Sequence, residues 1–246
     1  MRTRPWIALV ACGPVAAAGI TPALAQSMAG PSLTIAAKSD ERRRGISWSD
    51  GDPVLSAALS IPVTYDLSLR AQATPLWGSD RHDGADAAVD VSAAYDRWLG
   101  GWTFGVEGSY HLFPGVSGQG YGELGVNAGF LLGPADLGLF VRYAPDQRNI
   151  GGDNLYLGTS ASVGIPDTPF TLSGHVGHSS GKVDDAVRAA RLRPDGSYWD
   201  HGVALDWYRG RWSAGLRYAD SDIDNEGSPL RRHTGASLIA RIALSL

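Results

Sequence analysis

From Leu33 to the end of the chain, apolar and polar residues alternate with a period of two in one segment after another. The segment WTFGVEGSYHL (102–112) shows it most clearly, with large apolar residues at even positions and Thr103, Glu107 and Ser109 at odd ones. A β-strand places successive side chains on opposite faces, so this segment is predicted to have one apolar and one polar face. A helix would not produce this pattern.

The same alternation predicts a chain of antiparallel strands. We count twelve segments, each close to the roughly 9–11 residues that a tilted transmembrane strand needs. The predicted strands are 33–44, 54–61, 65–74, 85–96, 102–112, 120–132, 136–144, 154–164, 170–179, 198–208, 211–219 and 234–246.

The connections between these segments are short and long in turn. The short ones are 62–64, 98–101, 133–135, 166–169 and 209–210, and the long ones are 45–53, 75–84, 113–119, 145–153, 180–197 and 220–233. With an even number of strands, both termini and all short turns lie at one end. Short periplasmic turns and longer extracellular loops are the layout of an outer-membrane barrel.

Period two does not say which face points inward, because a soluble barrel or sandwich alternates in the same way. Large aromatic residues near strand ends, typical of the girdles of membrane barrels, favour a membrane. The girdle is predicted to contain Trp102, Tyr110, Tyr143, Trp207, Trp212 and Tyr218.

Ionised residues on the polar face suit a wet lumen better than an ordinary solvated sheet. The predicted pore-lining residues are Arg70, Glu107, Glu123, Arg142, Asp206, Arg217 and Arg241. Opposed charges of this kind tune ion selectivity in a pore. The same residues could instead pair across strands and fill a narrow barrel, because twelve strands lie between filled 8-stranded barrels and open 16-stranded porins.

The first 25 residues have the features of a secretory signal peptide. Arg2 and Arg4 precede a short apolar stretch, and Ala23-Leu24-Ala25 forms an A-x-A cleavage site. We therefore expect 1–25 to be removed and 26–246 to form a single barrel domain. The only cysteine, Cys12, lies inside this signal, in a sequence that also resembles a lipoprotein cleavage box. No apolar run after Gln26 approaches the roughly 20 residues of a transmembrane helix.

Four segments resemble motifs of the TorF-like family of porin-like proteins, in the same order. They are RGISWSDGDP (44–53), YHLFPG (110–115), YGE (121–123) and GHVGHSSG (174–181). The resemblance spans roughly residues 33 to 246. It implies a β-barrel of the outer membrane and brings no catalytic residues with it.

These observations predict an outer-membrane channel for passive diffusion of small polar solutes or ions, not an enzyme, with no metal or cofactor. The expected partners are outer-membrane lipids, the barrel assembly machinery and the solutes. The net charge of −4 argues against nucleic acid. Two alternatives stay open: a closed structural or adhesive barrel, and a lipid hydrolase using His178 and Ser180 with Asp184 or Asp185 as the acid.

Several charged residues are predicted to lie at the extracellular rim. Arg42 and Arg44 would turn to the mouth or lumen and Arg43 to lipid phosphate, while His178 would end a strand there. A second basic group could contact anionic headgroups: Arg188, Arg191, Arg193, Arg231 and Arg232. The acidic loop of Asp220, Asp222, Asp224 and Glu226 is predicted to be solvated, because Asn225 stands where a calcium loop needs glycine.

Overall fold

The computed structural model describes residues 30–224 and 233–246. The predicted signal peptide, 1–25, lies outside the described residues, as do Glu226, Arg231 and Arg232. Within the described ranges, no helix is long and apolar enough to cross a membrane.

Twelve antiparallel strands close into one barrel. They are β1 (Ser32–Lys38), β4 (Val54–Pro62), β5 (Leu67–Ser79), β6 (Ala85–Leu99), β7 (Trp102–Leu112), β8 (Tyr121–Leu132), β9 (Ala135–Gln147), β10 (Gly152–Gly164), β11 (Phe170–Ser180), β12 (Tyr198–Arg209), β13 (Trp212–Ser221) and β14 (Ser237–Ser245). Strands β2 (Arg42–Arg43) and β3 (Ile46–Ser47) form a separate two-stranded sheet. Single helical turns occupy 80–82, 148–150 and α1 (Ala186–Ala189).

Each strand pairs with its neighbour along the chain, and β1 closes the ring by pairing with both β14 and β4. In the closing pair, Thr34 faces Ser245 and Lys38 faces Arg241. The short turns and both described ends lie at one end of the barrel, the short-turn end. The long connections lie at the other, the long-loop end. The predicted twelve-stranded antiparallel barrel is therefore confirmed.

The apolar face of the strands points outward. Val126, Leu139 and Leu157 keep 49%, 62% and 43% of their surface exposed, whereas the alternating residues are buried or half-buried. An apolar surface of this extent would be costly in water, but it suits the hydrocarbon layer of a membrane. The alternation thus describes a barrel with its polar face inside.

The predicted girdle residues divide between the two ends. Trp102 and Trp212 begin strands at the short-turn end, where Trp207 is half-buried close to the end of β12. Three exposed tyrosines lie in the opposite half of the barrel, toward the long loops: Tyr110, Tyr143 and Tyr218. Aromatic rings therefore lie toward both ends of the barrel. Amphipathic aromatic rings are stable at the two interfaces of a bilayer.

Two predicted boundaries are wrong by five residues or more. The first barrel strand ends at Lys38 rather than at residue 44, because the chain there leaves the wall to form the β2–β3 hairpin. Strand β5 extends to Ser79 instead of ending at 74. Its register with β6 is irregular between Pro75 and Ser79, because proline donates no ladder hydrogen bond and Trp77 and Gly78 have left-handed backbones.

Candidate pore and the hairpin that crosses it

The connection between β1 and β4 folds into the barrel as a small hairpin. Its two strands are joined by Arg44 and Gly45, whose φ angles are 51° and 76°. Two positive φ angles define the turn type that best joins antiparallel strands through two residues, and glycine adopts it readily. We call residues 40–49 the mouth hairpin.

The tip of the mouth hairpin reaches the wall opposite its root. The hairpin starts from β1, and β9 is six strands away in the twelve-strand ring. The guanidinium of Arg44 donates to Glu123 on β8 at 2.5 Å and lies 4.6 Å above the ring of Tyr156 on β10. Strands β8 and β10 flank β9, so the Arg44 side chain connects the hairpin to the side of the barrel opposite β1.

Arg43 anchors the hairpin to a third strand. Its terminal nitrogens donate to both carboxylate oxygens of Asp90 on β6, at 3.0 and 2.6 Å, and its Nε donates to Glu41 at 3.2 Å. Its guanidinium also lies 4.0 Å from the centre of the Trp48 ring. A bidentate pair fixes orientation as well as adding energy. The prediction that Arg43 turns to lipid phosphate is wrong, because its carboxylate partners lie inside the barrel.

Arg42 stabilises the root of the hairpin. It donates to Asp40 at 2.8 Å and to the backbone oxygens of Gly45 and Gly235. Ser47 and Ser49 both donate to the other carboxylate oxygen of Asp40, Oδ1, at 2.6 and 3.1 Å. The hairpin is therefore internally bonded and behaves as one packed unit.

Other loops pack on the hairpin and cover the long-loop mouth. Trp48 belongs to a buried apolar cluster completed by Leu76, Ala85, Ala88, Phe113, Tyr121, Ala144, Ile150 and Leu192. Arg81 donates to the backbone oxygens of Ser47 and Arg191, which ties the hairpin to the loop 181–197. The mouth is thus filled by side chains from three loops and the adjoining wall.

Two arginines predicted to contact lipid are part of this cover. Arg191 donates to the backbone and side-chain oxygens of Gln119, and its guanidinium lies 5.0 Å from the centre of the Phe113 ring. Arg193 donates to four backbone oxygens, those of Gly181, Gly196, Asp153 and Lys182. The lipid prediction is wrong for both, because each arginine is buried and donates to carbonyl oxygens of the protein. Arg188 is half-buried, pairs with Asp185 and donates to the backbone oxygen of Arg148.

Below the hairpin, the predicted pore-lining residues lie on the lumen face and are partly paired. Arg142 donates to Glu107 at 3.2 Å, and Arg70 lies 3.7 Å from Asp96. On the opposite side of the ring, Arg241 donates to Ser213 at 3.1 Å. Asp206 lies within electrostatic range of Arg217 and Arg241. Glu123 is separated from this group, because Arg44 of the hairpin covers it.

Glycines on the lumen face make room for several large side chains. A Cβ atom on Gly125 would lie 1.7 Å from Nη1 of Arg142, and one on Gly215 would lie 2.2 Å from Oδ1 of Asp206. Each glycine stands opposite its partner on the adjacent strand. The same relation recurs for three more pairs: Gly105 with Asp96, Gly158 with Phe140, and Gly202 with His175. At these five positions the larger side chain therefore lies back over the wall.

One polar group near the hairpin tip could not have been singled out from the sequence. Oδ1 of Asp200 accepts from the Tyr156 hydroxyl at 3.1 Å and lies 3.1 Å from Nε2 of His175. Asp200 is fully buried, and the tip residue Gly45 packs directly against it. The three residues come from three adjacent strands, and their separation along the chain hides the cluster.

A substitution at the tip tests how the hairpin fits. A Cβ on Gly45 would lie 2.7 Å from Cβ of Asp200 and 3.2 Å from the Asp220 backbone oxygen. Gly45→Ala is therefore expected to displace the tip and raise the current through the barrel in a planar bilayer. Gly210→Ala is the control, because Gly210 also has a positive φ, 61°, but has no atom within 4 Å of the added carbon. Equal currents from the two variants would contradict this fit.

The residues proposed for a hydrolase are not assembled as a catalytic site. His178 lies at the long-loop rim with its ring 4.6 Å from that of Trp199, on the outer face of the barrel. Asp184 pairs with Lys182 at 2.7 Å, and Asp185 caps α1 and pairs with Arg188. The acids therefore have other partners.

The acidic loop also has internal partners. Asp220 accepts from the Tyr218 hydroxyl at 3.0 Å, and Asp222 accepts from the backbone nitrogen of Trp199 at 2.7 Å.

The closed barrel, its apolar outer face and its charged lumen define a protein with the architecture of outer-membrane porins. The chain belongs to the Gcw_chp family, described as bacterial proteins of unknown function, whose model matches residues 23–239. This is the family the comparison establishes; the narrower TorF-like name is not confirmed. No curated protein sequence matches the chain.

Solved porin structures share the fold at low sequence identity. The NanC porin has a TM-score of 0.60 at 14% identity, covering 87% of this chain and 98% of that one. The KdgM porin in complex with disordered oligogalacturonate has a TM-score of 0.58 at 8% identity, covering 87% and 99%. An outer membrane channel from Pseudomonas putida F1 has a TM-score of 0.55 at 11% identity, covering 90% and 97%. At these identities the similarity concerns the fold alone.

Proposed function

We propose that this protein is an outer-membrane channel for passive diffusion of small polar solutes, with the mouth hairpin as its constriction. The observation that carries the proposal is the lumen below the hairpin, where the charged side chains of Arg142, Asp96 and Asp206 lie back over glycines of the wall. Side chains held against the wall in this way take less room at the axis than side chains that project inward. A wall with recessed charges suits a solvated path.

We further propose that the lumen has balanced charges and little preference between small anions and cations. Below the hairpin, four arginines (Arg70, Arg142, Arg217 and Arg241) face four acids (Asp96, Glu107, Asp136 and Asp206). One of the solved porins with this fold carries oligogalacturonate, according to its description. Small carboxylated solutes are therefore the first class to test.

The proposal includes the parts that the sequence alone suggests. Residues 1–25 would be removed on export, the barrel assembly machinery would insert the chain, and the apolar belt would contact outer-membrane lipids. The narrower kinship with the TorF-like family rests on the four sequence segments given above, including the Arg44-Gly45 turn.

Single-channel recording in a planar bilayer tests the channel. The purified, folded barrel is expected to give discrete current steps. A version with residues 42–47 replaced by six glycine and serine residues is expected to give larger and longer ones. Absence of steps from both proteins, while each still shows heat-modifiable migration, would favour the closed structural barrel. The ion pairs that hold the hairpin to the wall strands β6 and β8 are the feature that supports that second candidate.

Reversal potentials test the selectivity. Arg217→Gln together with Arg241→Gln removes two lumen cations on one side of the ring and leaves Asp206 there. The variant is expected to acquire a cation preference in a salt gradient, because the remaining acids outnumber the remaining lumen arginines. An Arg209→Gln, Arg211→Gln variant is a matched control, since both arginines are exposed at the short turn outside the strand interiors. Similar shifts in both variants would contradict a role for the lumen pair.

A further inference from the structure

His82 occupies an unusual position between the mouth hairpin and the loops that cover it. Its ring is fully buried, with its centre 4.5 Å from that of Trp48 on the hairpin and 4.6 Å from that of Phe113, on which it stacks. Neither ring nitrogen has a hydrogen-bond partner among the residues that the structure describes. A buried polar atom without a partner costs free energy, and a charged one costs far more. The ring is therefore tolerated there only while it is neutral.

The charges around His82 reinforce this constraint. Arg191 from the loop 181–197, Arg81 from the same helical turn and Arg43 from the hairpin all disfavour a second positive charge, and Asp90 on β6 alone opposes them. Burial comes first among these causes, and together they hold the pKa of His82 well below its ordinary value. The arginines stay charged at neutral pH, since even buried Arg191 and Arg81 have a pKa of about 10.

Withdrawal of the hairpin would change this environment. Trp48 and Arg43 would leave with it, and the His82 ring would meet water in the mouth. An imidazole in water titrates near 6.5. The withdrawn state would therefore bind a proton that the closed state cannot accept, and acid would favour the withdrawn state.

We propose that His82 makes the mouth hairpin an acid-released plug, so that the channel opens as pH falls below about 6.5. This inference rests on the proposed channel function and adds its regulation. The sign follows from the two states. The pKa of His82 is lower in the closed state than in the withdrawn state. The closed state is therefore most stable relative to the withdrawn state above about pH 6.5, and this stability decreases with each pH unit below that value.

The binding of a single proton by His82 limits how much the open-to-closed ratio can change with pH. If only the withdrawn state protonates, with a pKa near 6.5, the ratio of open to closed channels rises about 25-fold between pH 7 and pH 5. The ion pairs of the hairpin set the open-to-closed ratio at neutral pH, and protonation of His82 changes that ratio.

Currents recorded at pH 7, 6 and 5 test the inference, with the hairpin-replaced protein as reference. Wild-type protein is expected to gain open time toward pH 5, and the reference to be open throughout. His82→Phe keeps an aromatic ring between Trp48 and Phe113 and removes the titrating group, so it is expected to stay closed at pH 5. His82→Gln is the second variant, should phenylalanine disturb folding, and is also expected to lose the acid response.

His111→Gln controls for a second histidine near the plug, which lies 2.6 Å from Asp90 and contacts the Trp48 ring. It is expected to keep the acid response. An acid response that survives in both His82 variants, or that disappears only in His111→Gln, would overturn the proposal. So would a wild-type current that does not change with pH while the reference conducts. If the reference itself does not conduct, the channel function fails first.

Discussion

Arg44→Met is expected to open the mouth of the barrel at neutral pH. It leaves the Glu123 carboxylate, only 5% exposed, buried beneath the hairpin without its cation. Removing one partner of a buried pair costs about 3–5 kcal/mol. That cost falls on the closed state alone, because Glu123 meets lumen water once the hairpin withdraws. At 1.4 kcal/mol per factor of ten, the open-to-closed ratio should rise by at least about 100-fold, which open times in single-channel records would show.

Two further variants separate this cause from general damage. Arg44→Met with Glu123→Leu removes both charges and is expected to restore closure, since an apolar pair of similar size replaces a buried ion pair at little cost. Arg97→Met breaks a pair of similar length, 2.7 Å to Asp66, but the Arg97 side chain is 58% exposed. An exposed pair contributes little. The idea fails if Arg97→Met opens the barrel as much as Arg44→Met.

Gly125→Ala is expected to narrow the lumen and make it more anion-selective. The new methyl group takes the place of the Arg142 guanidinium, which would have to leave Glu107 and swing toward the axis. In the Arg44→Met background, where the mouth is open, single-channel conductance is expected to fall about twofold, because a freed cation then stands in the path. The reversal potential should move toward the anion limit in the same recordings.

Gly164→Ala is the matched control for this experiment. Gly164 also lies in a barrel strand, but an added Cβ would have no atom within 4 Å. It is expected to leave conductance and selectivity unchanged. Unaltered selectivity in Gly125→Ala would mean that Arg142 does not occupy the recess in the membrane.

The wall of the barrel could be predicted from the sequence because its determinants are local. In 102–112 every second residue is apolar, and a strand follows from that pattern whatever its partners are. The alternation of short and long connections then gave the order of strands around the ring. The abundance of glycine was visible too, but which large side chain lies over Gly125 depends on the register between β8 and β9.

The hairpin could not be predicted because its determinants are distant. Three arginines in a row suggest a solvated surface until their partners are known, and Asp90 and Glu123 lie 47 and 79 residues further along the chain. One local signal was available. Arg44-Gly45 between the short strands β2 and β3 suits a two-residue turn, which would have indicated a hairpin at residues 42–47 rather than the end of a wall strand.

Among the described residues, the strands of the mouth hairpin form their ladder with each other, while the twelve wall strands pair with one another. A backbone hydrogen bond to another loop runs from the Ser47 nitrogen to the His233 oxygen. Moving the hairpin breaks its side-chain bonds to Asp90 and Glu123 but no backbone ladder bond of the cylinder. The free energy of unfolding the barrel wall is therefore separate from the free energy of displacing the mouth hairpin. Heating should accordingly produce two transitions. Sequence changes that alter permeability can thus accumulate in this segment without weakening the protein's hold on the bilayer.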